Sequence, residues 1–235
     1  MGRVMQMGKS CTLVALVLTA GWGWAQQPLL EASLGSMSTF LGGLRLDLTP
    51  LNDLLAPAGY PTLSGWQLCW GMADLTPHEG GFLTGTLSLT GFSEARAADR
   101  KTAVELAFFG LLGGTELDEG TTKIGLFLAL GGGYLQFTLR VRHADDVADA
   151  LTPTLSRPLL LFLGVFPFAA LSRGITPWLQ LELGLGWLGS LPGWWLDDWR
   201  ALTGPRLAPG GPLLAVGLAF DWDAMITESL PAGPP

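Results

Sequence analysis

Large apolar side chains stand at every second residue through much of this chain. In the stretch GITPWLQLELGLGW, residues 174–187, four leucines and a tryptophan occupy the odd positions from 179 onward, with glutamine, glutamate and glycines between them. Successive side chains of a β-strand point to opposite faces, so this pattern predicts a strand with one apolar face and one small or polar face. The same alternation predicts eight strands in all. They lie at residues 38–49, 63–73, 82–92, 102–112, 121–141, 158–170, 175–188 and 212–222.

The fifth of these segments, TTKIGLFLALGGGYLQFTLRVR, changes the parity of its apolar residues. Before Gly131-Gly132-Gly133 the apolar positions are even, and after it they are odd. A strand face cannot change parity without an extra residue, so the glycines predict either a bulge within one long strand or a hairpin turn between two. We favour the bulge, because it keeps the strand count at eight, and an even number suits a closed antiparallel barrel. A turn would raise the count towards ten.

The second face of these segments separates two kinds of β protein. It consists mostly of Gly, Ala, Thr and Ser with isolated charges, whereas a sheet surface in water usually carries charged and long polar side chains. Small residues suit the crowded interior of a small barrel. We therefore predict an all-β fold, a single antiparallel up-and-down β-barrel of about eight strands whose leucine face meets lipid. The alternative is a soluble β protein whose leucine face is turned inward.

Charged and amide side chains on the second face would lie inside such a barrel. A buried charge is costly unless it is paired and hydrogen-bonded, so these groups would have to satisfy one another. The predicted polar network of the barrel interior consists of Arg45, Asp47, Glu105, Lys123, Arg140, Gln180 and Glu182. Aromatic residues near the strand ends are predicted to form belts at the two membrane interfaces. They are Trp66, Phe82, Phe92, Trp178, Trp187 and Trp222.

The first 25 residues have the features of a secretory signal. Arg3 and Lys9 precede an apolar run at 12–20, and Gly23-Trp24-Ala25 closes the segment. The run is too short to span a bilayer as a helix, so we predict cleavage after Ala25, with an uncleaved anchor as the alternative. The predicted organisation is a signal peptide at 1–25, a β-barrel domain at 26–223 and a C-terminal tail at 224–235.

The balance of charge argues against one class of partner. The whole chain carries 13 Lys and Arg against 20 Asp and Glu, and without Arg3 and Lys9 the predicted mature chain has 11 against 20, a net charge of −9. An acidic protein is repelled by the phosphate backbone of nucleic acids, so no nucleic-acid partner is expected. Cys69 is the single cysteine of the predicted mature chain, so no intramolecular disulfide is expected.

Side chains for catalysis are scarce in the sequence. Beyond residue 25 there are two histidines and one cysteine, and the chain contains no Gly-x-Ser-x-Gly motif, no phosphate-binding loop and no pair of histidines at metal spacing. We therefore predict that the protein is not an enzyme and that it has no catalytic residue, metal or cofactor.

The connection at 191–211 contains a cluster with a recognisable binding chemistry. Clustered tryptophans beside carboxylates can stack on sugars or dock a surface partner. The candidate recognition residues are Trp194, Trp195, Asp197, Asp198 and Trp199. The alternative is a loop that dips into the membrane interface. Two other connections, 50–61 and 143–157, have apolar residues at helical spacing and predict short helical turns.

Two stretches resemble known bacterial proteins. GITPWLQLELGLGW resembles the penultimate strand of many small outer-membrane β-barrels, in which a short turn leads into Thr-Pro-Trp and alternating leucine. The segment LNDLLAPAGYP, residues 51–61, followed later by the Gly-Gly-Gly-Tyr strand, is similar to a group of exported proteins with no assigned activity. The resemblance implies the outer membrane as the location, its lipid bilayer as a partner and insertion by the outer-membrane assembly machinery. No functional residue carries over from it.

These features together predict a protein that acts through its surface. We expect a monomeric outer-membrane barrel with a structural or adhesive role, in which the 191–211 connection contacts a surface partner or a glycan. The alternative is a soluble periplasmic β-barrel that binds an apolar small molecule or lipid.

Overall fold

The computed structural model describes residues 35–141, 155–197 and 200–229. Its α-helices are α1 (Thr49–Leu55) and α2 (Trp222–Ser229), and a single 3-10 turn spans Glu79–Gly81. The strands are β1 (Ser36–Arg45), β2 (Trp66–Pro77), β3 (Phe82–Ala97), β4 (Arg100–Glu119), β5 (Thr122–Val141), β6 (Leu155–Ser156), β7 (Leu159–Gly174), β8 (Leu179–Ser190), β9 (Trp194–Asp197), β10 (Arg200–Ala201) and β11 (Gly211–Asp221).

Eight of these strands close into an antiparallel barrel. Each of β1 to β5 pairs with the next, β5 pairs with β7, β7 with β8 and β8 with β11. β11 then pairs with β1 from Ser36 opposite Asp221 to Leu44 opposite Leu213, which closes the ring. The short strands β6, β9 and β10 extend this sheet beyond the barrel wall. The predicted all-β barrel of eight strands is confirmed.

The two rims of the barrel differ in the length of their connections. At one rim, called here the turn rim, the connections 78–81, 120–121 and 175–178 are short, and both the start of β1 and the end of β11 lie there. At the other, the loop rim, the connections 46–65 and 191–210 are long, and among the connections that the structure describes there 98–99 is short. At the turn rim Asp221 caps α2, because its Oδ1 accepts a hydrogen bond from the Ala224 amide at 3.0 Å.

The bulge predicted at Gly131-Gly132-Gly133 is wrong, because β5 is one continuous strand without an extra residue. Its pairing with β4 runs in one register from Thr122 opposite Glu119 to Val141 opposite Arg100. Even residues of β5 therefore face outward along its whole length. What changes is the face that is apolar: Leu128 is exposed outside the barrel, whereas Leu135, beyond the glycines, is buried inside it.

An apolar cap formed by the connections between strands closes the loop rim. Leu51 and Leu55 on α1 are buried, and so is Leu63 in the same connection. The Asn52 side chain fastens this connection to itself, since its Nδ2 donates to the Leu63 carbonyl at 3.0 Å and its Oδ1 accepts from the Leu63 amide at 2.9 Å. The helical turn predicted within 50–61 is thus observed as α1. Most of the turn predicted at 143–157 lies outside the described residues.

Phenylalanines fill the middle of the barrel. Phe127 stacks on Phe168 with ring centroids 4.9 Å apart, and Phe168 lies 5.7 Å from Phe166. Phe166 and Phe162 each lie 6.4 Å from Phe108. Rings at these distances make favourable aromatic contacts. This column of rings fills the barrel with a packed core, as expected for a barrel of eight strands.

Because the register of β5 is continuous, neighbouring glycines point to opposite faces and differ in the space available for a side chain. A Cβ on inward-facing Gly131 would lie 1.9 Å from the Phe109 carbonyl oxygen, whereas one on outward-facing Gly132 would lie 3.3 Å from its nearest neighbour, the Phe162 carbonyl oxygen. We expect Gly131→Ala to lower the free energy of unfolding by about 1–3 kcal/mol through overpacking, and Gly132→Ala to lower it clearly less, because the nearest atom is farther away. Urea titration of the folded barrel measures both. Equal costs at the two positions would contradict this register.

Candidate functional site: the outer belt and the barrel interior

The strand β8 shows which face of the barrel carries the large apolar groups. Leu181, Leu183, Leu185 and Trp187 are 44%, 52%, 61% and 56% exposed on the outside of the closed wall. The residues of the other parity, Gln180, Glu182, Gly184 and Gly186, are less exposed and point inward. The apolar face of this strand therefore faces outward.

The same arrangement continues around most of the wall and forms what we call the outer belt. Besides the four residues of β8, its exposed members on six other strands include Leu41, Leu68, Trp70, Phe109, Leu111, Leu126, Leu128, Leu163, Val165, Leu214, Val216 and Leu218. Soluble monomers rarely expose apolar patches larger than a few hundred Å². Exposed apolar side chains on seven of the eight barrel strands call for an apolar medium outside the wall.

The strand β3 departs from this pattern. Its leucines Leu87 and Leu89 are buried inside the barrel, and its outward positions between Phe82 and Phe92 carry hydroxyl side chains. For β3 the prediction that the leucine face lies outside is therefore wrong. Alternation identifies the two faces of a strand, and here the small polar face is the outer one.

Aromatic side chains border the outer belt near both rims. Trp66 and Phe92 are 55% and 50% exposed towards the loop rim, and Phe82 is 51% exposed towards the turn rim. Also at the turn rim, Phe220 stacks on Trp222 with ring centroids 6.4 Å apart. Aromatic rings with this placement are typical of the two girdles of a membrane barrel.

Beyond the outer belt, towards the loop rim, the outside of β3, β4 and β5 becomes polar. Glu94 forms ion pairs with both Arg96 and Lys101 on this surface. Glu105 and Arg140 occupy outward positions of the same strands. Their predicted place in the barrel interior is therefore wrong. The reason is that these strands extend past the apolar belt, so water can solvate charges on their outer side.

The prediction also fails for Arg45 and Asp47. Arg45 ends β1 on its outer side and is exposed, and Asp47 is exposed in the connection that follows. Hydrogen bonds from the side chain and the amide of Thr49, the latter at 3.1 Å, hold the pKa of the Asp47 carboxyl below its usual range. Both residues belong to the loop rim rather than to the interior.

The other three predicted network residues, Lys123, Gln180 and Glu182, take inward positions in the half of the barrel nearest the turn rim. Among the described residues, no ion pair within 4 Å joins them, since the pairs found involve Glu94. Ser38 and Glu182 line the same small cavity, and Oε2 of the Glu182 carboxylate is buried without a hydrogen-bond partner.

Two further polar groups near these residues were missed by the sequence analysis. Glu116 points inward on β4, and Asp118 lies directly opposite Lys123 in the pairing of β4 with β5. The predicted fourth strand ends at residue 112, so both acidic residues lie outside the predicted strands. Continuing the alternation through Thr115 and Leu117 would have found them.

A small cavity adjoins Glu182. It has a volume of about 20 Å³ and is lined by Ser38, Phe40, Phe166 and Phe168 among others. That volume is about what one water molecule requires. The rings of the phenylalanine column occupy the barrel above it, so this part of the interior suits a buried polar group and not a diffusing solute.

The tryptophan cluster of the 191–211 connection does not form one recognition surface. Trp194 is 60% exposed, but Trp195 is 8% exposed. The Trp195 indole N–H donates to the Pro205 carbonyl at 2.8 Å, and its ring contacts Phe137 at a tilt, with centroids 5.4 Å apart. Trp195 is thus part of the core, contrary to its predicted role. Asp197 is partly buried at the end of β9, and 198–199 lie outside the described residues.

Within the described ranges, no three His, Cys, Asp or Glu side chains come together as ligands for a metal ion. Neither helix of the described part of the chain has both the length and the apolarity needed to cross a membrane.

No protein-family model matches this chain, and none of the curated proteins matches it. Eleven chains of solved structures are similar to it, and the following three are among them. Neisserial surface protein A is 12% identical, with 82% of this chain and 99% of that chain covered and a TM-score of 0.45. The attachment invasion locus protein Ail of Yersinia pestis is 11% identical, with 79% of this chain and 99% of that chain covered and a TM-score of 0.36. A major outer membrane protein of Thermus thermophilus is 10% identical, with 79% of this chain and 98% of that chain covered and a TM-score of 0.42. Similarities of this size are too weak to assign a function, and the barrel fold follows from the strand pairing alone.

The unpartnered oxygen of Glu182 leads to a prediction about stability. Replacing a buried, poorly paired ionisable group by an apolar one of similar size is often neutral or stabilising. We expect Glu182→Met to raise the free energy of unfolding by about 1–3 kcal/mol, and Glu105→Met, on the outer surface, to change it by less than about 0.5 kcal/mol. Urea unfolding monitored by gel mobility measures both. A loss of stability in Glu182→Met would instead indicate that Glu182 is held in a paired network.

Proposed function

We propose that this chain is an outer-membrane β-barrel protein with a structural or adhesive role and without catalytic activity. The observation that carries the proposal is the outer belt, in which large apolar side chains on seven of the eight barrel strands lie exposed on the outside of a closed wall. A hydrocarbon surrounding makes such a surface favourable, whereas water makes it costly.

The difference between the rims supports an orientation. Outer-membrane barrels have short turns on the periplasmic side and longer loops outside the cell. By this rule the turn rim, where β1 starts and β11 ends, faces the periplasm, and the loop rim faces outward. The assembly machinery of the outer membrane would then insert the barrel after its export.

The packed interior favours a role at the surface over transport. Phe108 and Phe166 lie at the centre of the aromatic column and are 2% and 1% exposed, and the cap containing Leu51 and Leu55 covers the loop rim. A solute would have to displace these groups to pass. Recognition of a surface partner or glycan therefore falls to the loop rim, where Trp194 offers an exposed ring.

The soluble alternative, a periplasmic cup for an apolar ligand, has less support. It requires the leucine face of strands such as β8 to line the interior, but Leu183 is 52% exposed on the outside. It also requires an apolar cavity, whereas the cavity of about 20 Å³ beside Glu182 is far below the few hundred Å³ of a ligand pocket.

Cell fractionation tests the proposed location. We expect the protein in the detergent-extracted outer membrane, with a gel mobility that changes on heating as the barrel unfolds. Recovery of the folded protein in the osmotic-shock supernatant would refute the membrane location and revive the soluble alternative.

A matched pair of variants sharpens this experiment. Leu183→Lys places a charge in the middle of the outer belt, which costs roughly 2–4 kcal/mol against lipid, so the yield of heat-modifiable barrel should fall. Thr138→Lys places the same charge on the outer side of β5, beyond the belt, and should leave the yield unchanged. Equal yields from the two variants would contradict a lipid-facing belt.

A further inference from the structure

The hairpin between β3 and β4 concentrates positive charge in an acidic protein. Arg96, Arg100, Lys101 and Arg140 lie together at the loop rim. They are four of the 13 Lys and Arg in a chain whose net charge is −7. A random scatter of so few cations would not gather them at one point, so the concentration itself requires an explanation.

The strand register places three of these cations side by side. Arg96 lies directly opposite Lys101 in the pairing of β3 with β4, and Lys101 lies directly opposite Arg140 in the pairing of β4 with β5. Residues directly opposite each other in a sheet have Cβ atoms about 4.5–5.5 Å apart, and like charges there are destabilising. The row therefore costs free energy unless an anion neutralises it.

The acidic side chains described around this row supply only part of the compensating charge. Glu94 forms ion pairs with Arg96 and with Lys101, and Asp99 lies at the turn between β3 and β4. Among the described residues that line or pair with this row, two carboxylates stand against four cations. Glu94 belongs to β3, whereas Arg140 belongs to β5 on the far side of Lys101, and neither ion pair found in the described ranges involves Arg140.

A neighbouring contact holds the fourth cation in place. The guanidinium of Arg100 donates to the Ala58 carbonyl and lies over the ring of Tyr60, 5.1 Å from its centroid. The connection containing α1 therefore fixes Arg100 before any ligand arrives, on the inner side of β4, from which it lines the same cleft as the row. Such positioning reduces the entropy that binding would cost.

These residues line an open cleft of about 280 Å³, with Asp99 as the carboxylate of its lining and Ala98 at the turn. The volume is sufficient for a phosphate group and the atoms attached to it. Guanidinium groups match the geometry of phosphate oxygens with two parallel hydrogen bonds, and lysine adds a compact charge.

We propose that this cleft, called here the cationic cleft, binds a phosphate group at the loop rim. Arg140 and Lys101 carry the main attraction, Arg96 extends it, and Arg100 is the fixed donor at the turn. The phosphate belongs either to the headgroup of a membrane lipid or to a ligand in solution. Binding a free phosphate does not depend on the proposed membrane location, whereas binding a headgroup does.

Stabilisation of the barrel measures this binding, since a ligand that binds only the folded state raises its resistance to unfolding. The first arm adds inorganic phosphate to the detergent-solubilised full chain at constant ionic strength. The second compares vesicles of phosphatidylcholine with vesicles containing phosphatidylglycerol. We expect the unfolding midpoint to rise in at least one arm. The apparent affinity should fall at least tenfold in Arg140→Gln and in Lys101→Gln, with smaller losses in Arg140→Lys.

Arg173→Gln, which removes an exposed cation at the turn rim, serves as the matched control and should bind like the unchanged chain. A rise in the first arm alone identifies a soluble phosphate ligand, and a rise in the second alone identifies a lipid headgroup. If folded Arg140→Gln, recognised by its heat-modifiable mobility, is stabilised as much as the unchanged chain in both arms, the cationic cleft does not bind phosphate. A chain that fails to enter vesicles but is stabilised by free phosphate would contradict the proposed location and would still support phosphate binding by the cationic cleft.

Discussion

Closure of the eight-stranded ring is the constraint on which the rest of this structure depends. A hydrocarbon medium offers no partner for backbone N–H and C=O groups, so a sheet can cross it only when no edge remains. The pairing of β11 with β1 removes that edge. Once the wall is closed, each strand has one face inside and one outside, and the alternation of the sequence determines what each medium meets.

The barrel has opposite polarity patterns in its two halves. Near the turn rim the outside is apolar and the inside includes Lys123 and Glu182, whereas near the loop rim the outside includes Arg140 and the inside is a core that contains Phe137. The strand β5 passes through both halves, and its glycines mark the change. The loop-rim half is packed like a soluble domain, which gives the protein a firm platform outside the belt for the cationic cleft.

Much of the fold could be predicted from the sequence, because alternation is a local signal. The eight strands, their order and the outward leucines of β8 follow from period two together with the short and long connections. Alternation cannot say which medium lies on either side of a given residue, however. For this reason the glycines of β5 predict a bulge that its register does not contain, and the pattern predicts Glu105 and Arg140 inside the barrel although both lie on the outer side of the wall.

The individual site residues were harder to predict than the strands. Trp195 is adjacent to Trp194 in the sequence, yet its indole donates to the Pro205 carbonyl and contacts the Phe137 ring. No local sequence pattern predicts these contacts. The row of Arg96, Lys101 and Arg140 likewise depends on the register between three strands. Spacing in sequence places the two ends of that row more than forty residues apart.

A spin-label scan along β5, from position 124 to position 140 in bilayers, tests the central claim most directly. The account predicts that even positions from 124 to 130 are accessible to oxygen dissolved in lipid, that even positions from 136 to 140 are accessible to a water-soluble reagent, and that odd positions are protected throughout. A change from even to odd accessibility across Gly131-Gly132-Gly133, or access of the water-soluble reagent to 126 and 128, would contradict it.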